Sequence, residues 1–222
     1  MTFNSLLAPK RVGSFLRYLC CYFLLLLGGI STANATEGFV ERYIDGIHYQ
    51  TIEAPMPNEN AQADQVIEFF SYGCPHCWHL EPAVKRWLQK QGGQLKFARV
   101  PATWNSAFQT LGRMHFVLEA LDMSESKGAK LFEYLHEQRK AIQNREQAQL
   151  FFNSIGVSPE LFSKHFNGVE TDTKMAEAES LFRRFKVSGV PAFAVNGRYL
   201  TSVSMAGSED EVFEIVDFLR NK

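Results

Sequence analysis

The chain reads as an α/β protein in which an all-helical segment interrupts a sheet. Three observations predict this class. Val66-Ile67-Glu68-Phe69-Phe70 is an apolar run of strand length that leads through Ser71-Tyr72-Gly73 into a helical pattern and then into a second strand. From residue 105 to residue 185 the apolar residues recur with the helical period and no strand pattern intervenes. At Val190-Pro191-Ala192-Phe193-Ala194-Val195 a strand signal returns, followed by an Asn196-Gly197 turn and a closing amphipathic helix.

In order along the chain, Lys10, Arg11 and Arg17 precede an uncharged run over residues 18–30, and Ser31-Thr32-Ala33-Asn34-Ala35 follows. Basic, then apolar, then small-x-small is the order of a secretory signal peptide, here residues 1–35 with cleavage after Ala35. The apolar run is shorter than the roughly 17 to 25 residues a spanning helix needs. The signal holds three basic and no acidic side chains, so its removal takes the formal net charge from −1 to −4. Such a chain has no positive field to hold a nucleic acid backbone, and no nucleic-acid partner is expected. A content of 45% hydrophobic and 21% charged residues excludes disorder, collagen-like repeats and a coiled-coil rod. Nineteen Phe, seven Tyr and three Trp predict a large packed core.

The mature chain opens with a polar stretch, a short strand over residues 48–52 and a Pro55-Met56-Pro57-Asn58 breaker. The strand at 66–70 comes next. A helix is expected to start at or just before Cys74, because Pro75 suits a first turn whose N–H groups have no intrahelical acceptor. Trp78, Ala83, Trp87 and Leu88 supply its apolar stripe, and Gly92-Gly93 stops it. Residues 94–100 form the next strand, which completes a right-handed βαβ unit with parallel neighbours.

Five helices are then expected. Phe108, Leu111, Met114, Val117 and Leu121 mark the first, and Leu131, Phe132 and Leu135 the second. Asn144-x-x-Gln147 opens the third, which Gly156 ends, Ser158-Pro159 opens a short fourth, and residues 173–185 form the fifth. Asn196-Gly197 predicts a two-residue hairpin loop, and Ser208-x-x-Glu211 predicts a capping box ahead of Val212, Phe213, Ile215, Val216, Phe218 and Leu219. A βαβ half, a helical insertion and a ββα half make a thioredoxin-like fold with an inserted all-helical domain. Residues 36–104 and 186–222 form the thioredoxin-like part and residues 105–185 the insertion.

Cys20 and Cys21 leave with the signal, so Cys74 and Cys77 are the only thiols of the mature chain. A lone Cys-x-x-Cys pair in an exported chain is a redox centre or half of a metal site. The second half of a four-cysteine zinc site is missing, and Trp78 in place of His excludes haem attachment. No metal and no bound cofactor are therefore expected. The stretches Phe69-Phe70-Ser71-Tyr72-Gly73-Cys74-Pro75-His76-Cys77-Trp78 and Val187-Ser188-Gly189-Val190-Pro191-Ala192-Phe193 resemble the two signatures of the DsbA family of periplasmic thiol:disulfide oxidoreductases. The resemblance covers the whole mature chain in order of elements. Cys-Pro-His-Cys with a distant Val190-Pro191 beyond a helical block is far more specific than Cys-x-x-Cys alone.

A helix N-terminus lowers a thiol pKa through unpaired N–H groups and partial positive charge. Cys74 sits there as the attacking sulfur, and Cys77, one turn deeper, is the shielded resolving one. His76 adds charge beside the thiolate, and Pro75 fixes the helix start. The resemblance implies that the Pro-His pair accompanies oxidase activity on reduced, unfolded exported polypeptides. It also implies a cis Val190-Pro191 bond opposite Cys74, with the Val190 backbone left to pair with substrate, and reoxidation by a DsbB-like membrane quinone reductase. Glu68 lies in the middle of a buried strand, where desolvation raises a carboxyl pKa and fits it to relay protons to Cys77; the alternative is an edge residue that reaches solvent. Family members often face this glutamate with a lysine from the next strand. The matching position is counted here as Phe97, with Lys96 on the opposite face, so a basic partner is not evident. His48, His115, His136 and His165 read as surface or packing residues, His79 as a solvent-facing helix residue or one lining the site, Trp78 as core, and Met114, Met175 and Met205 as core filling or the apolar rim of a substrate groove. The expected species is a periplasmic monomer. A dimeric isomerase or reductase, a copper or zinc carrier, and a non-catalytic chaperone stay open as alternatives.

Overall fold

The structure, a computed structural model, describes residues 41–53, 64–93 and 95–222. The expected signal peptide and the Pro55–Pro57 breaker lie outside the described residues. Five strands, β1 (Gln50–Thr51), β2 (Gln65–Phe70), β3 (Lys96–Pro101), β4 (Ala192–Val195) and β5 (Tyr199–Ser202), form one sheet in the order β1-β5-β4-β2-β3. β2 and β3 are parallel and the other neighbours antiparallel. The parallel pair is joined by α1 (Pro75–Lys90), as the βαβ reading requires. Gly92 and Gly93 end that connection at φ +64° and +78°, a backbone region glycine enters without steric cost.

Between β3 and β4 run five helices: α2 (Ser106–Ala120), α3 (Ser124–His136), α4 (Arg145–Ser154), α5 (Pro159–Phe166) and α6 (Val169–Arg184). Side chains cap three of them, Asn144 and Ser158 where the sequence suggests and Asn105 in addition. Asn105 accepts from the Phe108 N–H, Asn144 from Gln147 and Ser158 from Leu161, each satisfying a donor that the first turn leaves free. α6 starts four residues ahead of the expected position. Its first turn carries Glu170 and Asp172, which suit a helix N-terminus but dilute the apolar period by which the helix was recognised. A short α7 (Val203–Ala206) precedes the final α8 (Glu209–Arg220).

Two turn predictions need correction. Asn196 and Gly197 both have positive φ, and the Arg198 N–H reaches the Val195 carbonyl at 3.0 Å, yet strand pairing resumes only at Tyr199 opposite Val195. The loop holds three residues, not two. Asn196 is held by β2, donating its N–H to the Gln65 carbonyl and accepting the Gln65 N–H on its side chain, which moves the return of pairing one residue on. The Ser208 hydroxyl accepts from the Glu211 N–H as a capping box requires, but the Glu211 carboxylate accepts from the Tyr43 hydroxyl at 2.7 Å instead of turning back.

The sheet is covered on both faces. Val66 packs with Leu80, Val84 and Trp87 of α1 and with Val212, Phe213 and Val216 of α8. On the other face Ile67 and Phe69 meet Phe116 of α2 and Phe182 and Phe185 at the end of α6, the alternation expected of a strand with two covered faces. A third cluster fills the helical block, and Phe70, Tyr72 and Cys77 belong to it together with Met114, Phe132, Phe151 and Phe162. The turn after β2 is thus embedded in the helical core. No helix among the described residues is long and apolar enough to cross a membrane.

Candidate active site

β2 ends at Phe70, and the turn of Ser71, Tyr72 and Gly73 delivers the chain to α1. Cys74 is the N-cap of α1, in extended conformation at φ −90° and ψ 117°, with Pro75 in the first turn. The Cys74 N–H donates to the Ser71 carbonyl at 3.1 Å, and the Gly73 N–H donates to the Ser71 hydroxyl at 3.2 Å. This fixes the sulfur over the open end of the helix. Cys74 is half-buried and Cys77 is 1% exposed, and both are free thiols.

The two sulfurs titrate in opposite directions. The Cys77 thiol, as a donor to Cys74, is the strongest influence that brings the Cys74 thiol down from 9.0 to about 6. Burial opposes this, while the N–H groups of Cys77 and His76 and the charge of His76 add to it, the expected behaviour of a thiolate at a helix N-terminus. Cys77 moves up, because it gives its proton to Cys74, is buried, and faces the negative charge of Cys74 and Glu68.

Across the site the Val190-Pro191 peptide bond is cis. The Cys74 thiol lies 3.5 Å from the Val190 carbonyl as a donor to it. A cleft of about 510 Å³ runs beside this contact, with His76, Ser188, Val190, Pro191 and Met205 on its walls.

Behind Cys77 the β2–β3 register sets Glu68 opposite Arg99. Arg99 Nε donates to Glu68 Oε2 at 2.8 Å, and Nη2 donates to Glu81 Oε2 at 2.7 Å. Glu68 is 1% exposed and Glu81 8%, so one guanidinium holds two buried carboxylates. Burial pushes the Glu68 carboxyl above the usual range, Arg99 opposes the rise and Glu81 adds to it. The turn is also held from the helical block. His136, the last residue of α3, makes a 2.7 Å hydrogen bond from Nε2 to the Tyr72 carbonyl and stacks on Trp78 with ring centroids 5.0 Å apart and planes 6° apart. Gly128 leaves room for the Tyr72 hydroxyl, which a Cβ there would meet at 3.1 Å. Among the described residues no group of three or more His, Cys, Asp or Glu side chains is placed to hold a metal ion.

The family model described as "DSBA-like thioredoxin domain" matches residues 83–214, more than half of the chain. The chain belongs to that family. It is 30% identical to the thiol:disulfide interchange protein DsbA of Pseudomonas aeruginosa over 180 residues, 81% of this chain and 85% of the relative. It is 32% identical to the protein of the same name from Bordetella pertussis over 161 residues, 72% and 77% of the two chains. The crystal structure of Pseudomonas aeruginosa DsbA superposes with a TM-score of 0.75 at 30% identity, covering 81% of this chain and 93% of that one. The oxidoreductase DsbA of Xylella fastidiosa gives 0.74 at 26% identity, covering 82% and 97%. The match supports the α/β, thioredoxin-like architecture with helices inserted between β3 and β4.

Measured against this DsbA-family chain, the predicted site residues fall into two groups. Cys74, Pro75, His76, Cys77, Val190 and Pro191 converge on the N-terminus of α1 and the cleft beside it. Glu68 lies behind them, on the Cys77 side, and is not a solvent-reaching edge residue. The expectation of no evident basic partner is corrected, because Arg99, two positions past Phe97 and on the same face, fills that place through the register. Arg99 and Glu81 have no part in the reading of the sequence, and His136 reads there only as a surface or packing residue. Glu81 follows Cys77 by one helical turn, a spacing that puts both on one face, and that signal was available. His136 carries no local signal, since its contact with Tyr72 spans 64 residues. His79 is exposed, and His115 is 2% exposed with Nδ1 3.4 Å from the Tyr72 hydroxyl.

Proposed function

We propose that this chain is a thiol:disulfide oxidase that passes a Cys74–Cys77 disulfide to newly exported polypeptides. The opposite titration of its two sulfurs carries the reading: a half-buried Cys74 that is mostly thiolate above about pH 6 beside a buried Cys77 that stays protonated. In the oxidised enzyme a substrate thiolate attacks Cys74 Sγ, the Cys74–Cys77 bond breaks, and Cys77 leaves with the electron pair and takes up a proton. A second substrate thiolate then attacks the substrate sulfur of the mixed disulfide. Cys74 departs as a thiolate, and two electrons have passed from substrate to enzyme. A good leaving group at Cys74 drives the second step and stabilises the reduced enzyme, the condition for a strong oxidant.

The remaining roles follow from position. Pro75 sets the start of α1, and His76 adds positive character beside the thiolate. Val190 offers its backbone to an extended substrate at the turn closed by Pro191, a mode of pairing that tolerates many sequences. Glu68, its carboxyl raised by burial, supplies and removes the Cys77 proton, and Arg99 with Glu81 sets how readily it does so. The thiols hold both electrons, so no bound cofactor is required. The reading includes a signal peptide over residues 1–35, a periplasmic monomer, a thioredoxin-like part (36–104 and 186–222) around a helical part (105–185), and reoxidation by a DsbB-like membrane quinone reductase. Titration against glutathione redox buffers tests it. Half-oxidation at buffer ratios typical of a strong oxidant supports the oxidase, whereas a strongly reducing equilibrium supports a reductase.

A further inference from the structure

Beside the cleft at Val190 and Pro191 lies a second one, also of about 510 Å³, within the size range of ligand-binding clefts. The two share Lys186 and Val187 as common wall. The second cleft is built on the segment that follows β3 and on the end of α6. Trp104 stands in it 47% exposed, edge-on to the buried Phe182 ring at 5.4 Å and tilted against Phe108 at 5.8 Å. The indole is therefore braced on one side and open on the other. A half-exposed tryptophan held by other rings loses little side-chain freedom when a ligand covers it, the property of an interface anchor.

The charged groups around it cancel. Arg183 pairs with Glu179 at 2.5 Å and Lys186 with Glu53 at 3.0 Å, and all four side chains are more than half exposed. Exposed pairs of this kind contribute little to stability and leave the cleft without net charge, so it selects by apolar contact and shape. The wall it shares with the first cleft lies three and four positions before Val190. A chain in extended form that reacts at Cys74, against the Val190 carbonyl, and runs along residues 187–190 comes to the wall shared with the Trp104 cleft within about three to five of its own residues, at roughly 3.3 Å per residue.

We infer that the Trp104 cleft is a specificity subsite for the substrate polypeptide, taking an aromatic or bulky aliphatic side chain about three to five residues from the cysteine that exchanges with Cys74. The inference rests on the oxidase reading and adds a preference among unfolded chains that backbone pairing alone does not give. The occupant is the polypeptide already engaged at Cys74, because the cleft continues the one beside Val190 and shares its wall.

The test uses two synthetic dithiol peptides that differ only in carrying phenylalanine or serine at those positions on either side of the reacting cysteine. For the parent protein the ratio of kcat/KM, phenylalanine peptide over serine peptide, is expected to be about tenfold, the effect of covering the open half of an indole. In Trp104→Ala the ratio falls toward one, and in Trp104→Phe, which keeps an aromatic wall, it stays closer to the parent value. A parent ratio of one overturns the inference without requiring any variant to fold, as does a Trp104→Ala ratio equal to the parent's. A parent protein that exchanges with glutathione but shows no peptide preference loses only this subsite. One that does not exchange with glutathione loses the oxidase reading itself.

Discussion

The depressed Cys74 pKa makes the stability of the reduced protein depend on pH in a window fixed by two values. The thiol titrates near 9.0 in an unfolded chain and at about 6 in the folded protein. The unfolded chain therefore binds more protons between these values, and the reduced form gains stability as pH rises through the window. The gain is fully present above about pH 9 and is lost as pH falls through 6. At about 1.36 kcal/mol per pH unit the full window amounts to about 4 kcal/mol; because the sulfur is only half-buried, solvent screening brings this to roughly 2 kcal/mol. At pH 7 the corresponding figures are about 1.4 and roughly 1 kcal/mol. Urea unfolding of the reduced and oxidised forms at several pH values between 5.5 and about 8.5 measures the difference, with the oxidised form, which has no Cys74 thiolate, as the reference. Cys74→Ser in the reduced state is expected to flatten the slope. A reduced-minus-oxidised difference that stays constant across the window, or a thiolate absorbance midpoint near 9, refutes the reasoning.

Other perturbations separate the roles. Cys74→Ser is expected to abolish oxidation of a reduced model protein, and Cys77→Ser to accumulate mixed disulfides; mass spectrometry after alkylation at low pH finds Cys74 modified first, and the reverse order exchanges the two assignments. Cys77→Ala is expected to raise the Cys74 pKa more than His76→Ala does, because the Cys77 thiol is the leading influence on Cys74 and the His76 charge the least of those named; thiolate absorbance ranks them. Arg99→Met leaves Glu68 buried without its cation and Glu81 with only Lys85, at 3.7 Å, and is expected to cost about 3–5 kcal/mol at pH 7. A carboxyl whose folded pKa lies above its unfolded one stabilises the fold below that unfolded value and loses the contribution as pH rises through the folded one. The deficit of Arg99→Met therefore narrows toward pH 4.5, and chemical denaturation at the two pH values checks it.

Local chemistry made much of this protein legible. The helix caps at Asn144, Ser158 and Ser208 rest on one side chain and a donor three residues on, and each forms. The converging redox residues lie on two short motifs whose spacing carries the family resemblance. What the sequence concealed depends on partners distant in the chain. The hairpin loop gained a residue because Asn196 bonds to Gln65, and Glu68 found Arg99 only through the register of two parallel strands. The family's lysine position maps onto Phe97. Alternation alone places residues 97 and 99 on one face, and only the register tells which of them reaches Glu68.

The hydrogen bond from His136 to the Tyr72 carbonyl, with the imidazole stacked on Trp78, has a practical consequence for engineering. Transplanting the four-residue motif and its helix onto a bare scaffold would carry the sulfurs but strand a carbonyl and uncover an indole that α3 now shelters. A working chimera has to bring α3 along, or supply a donor and a flat ring in its place.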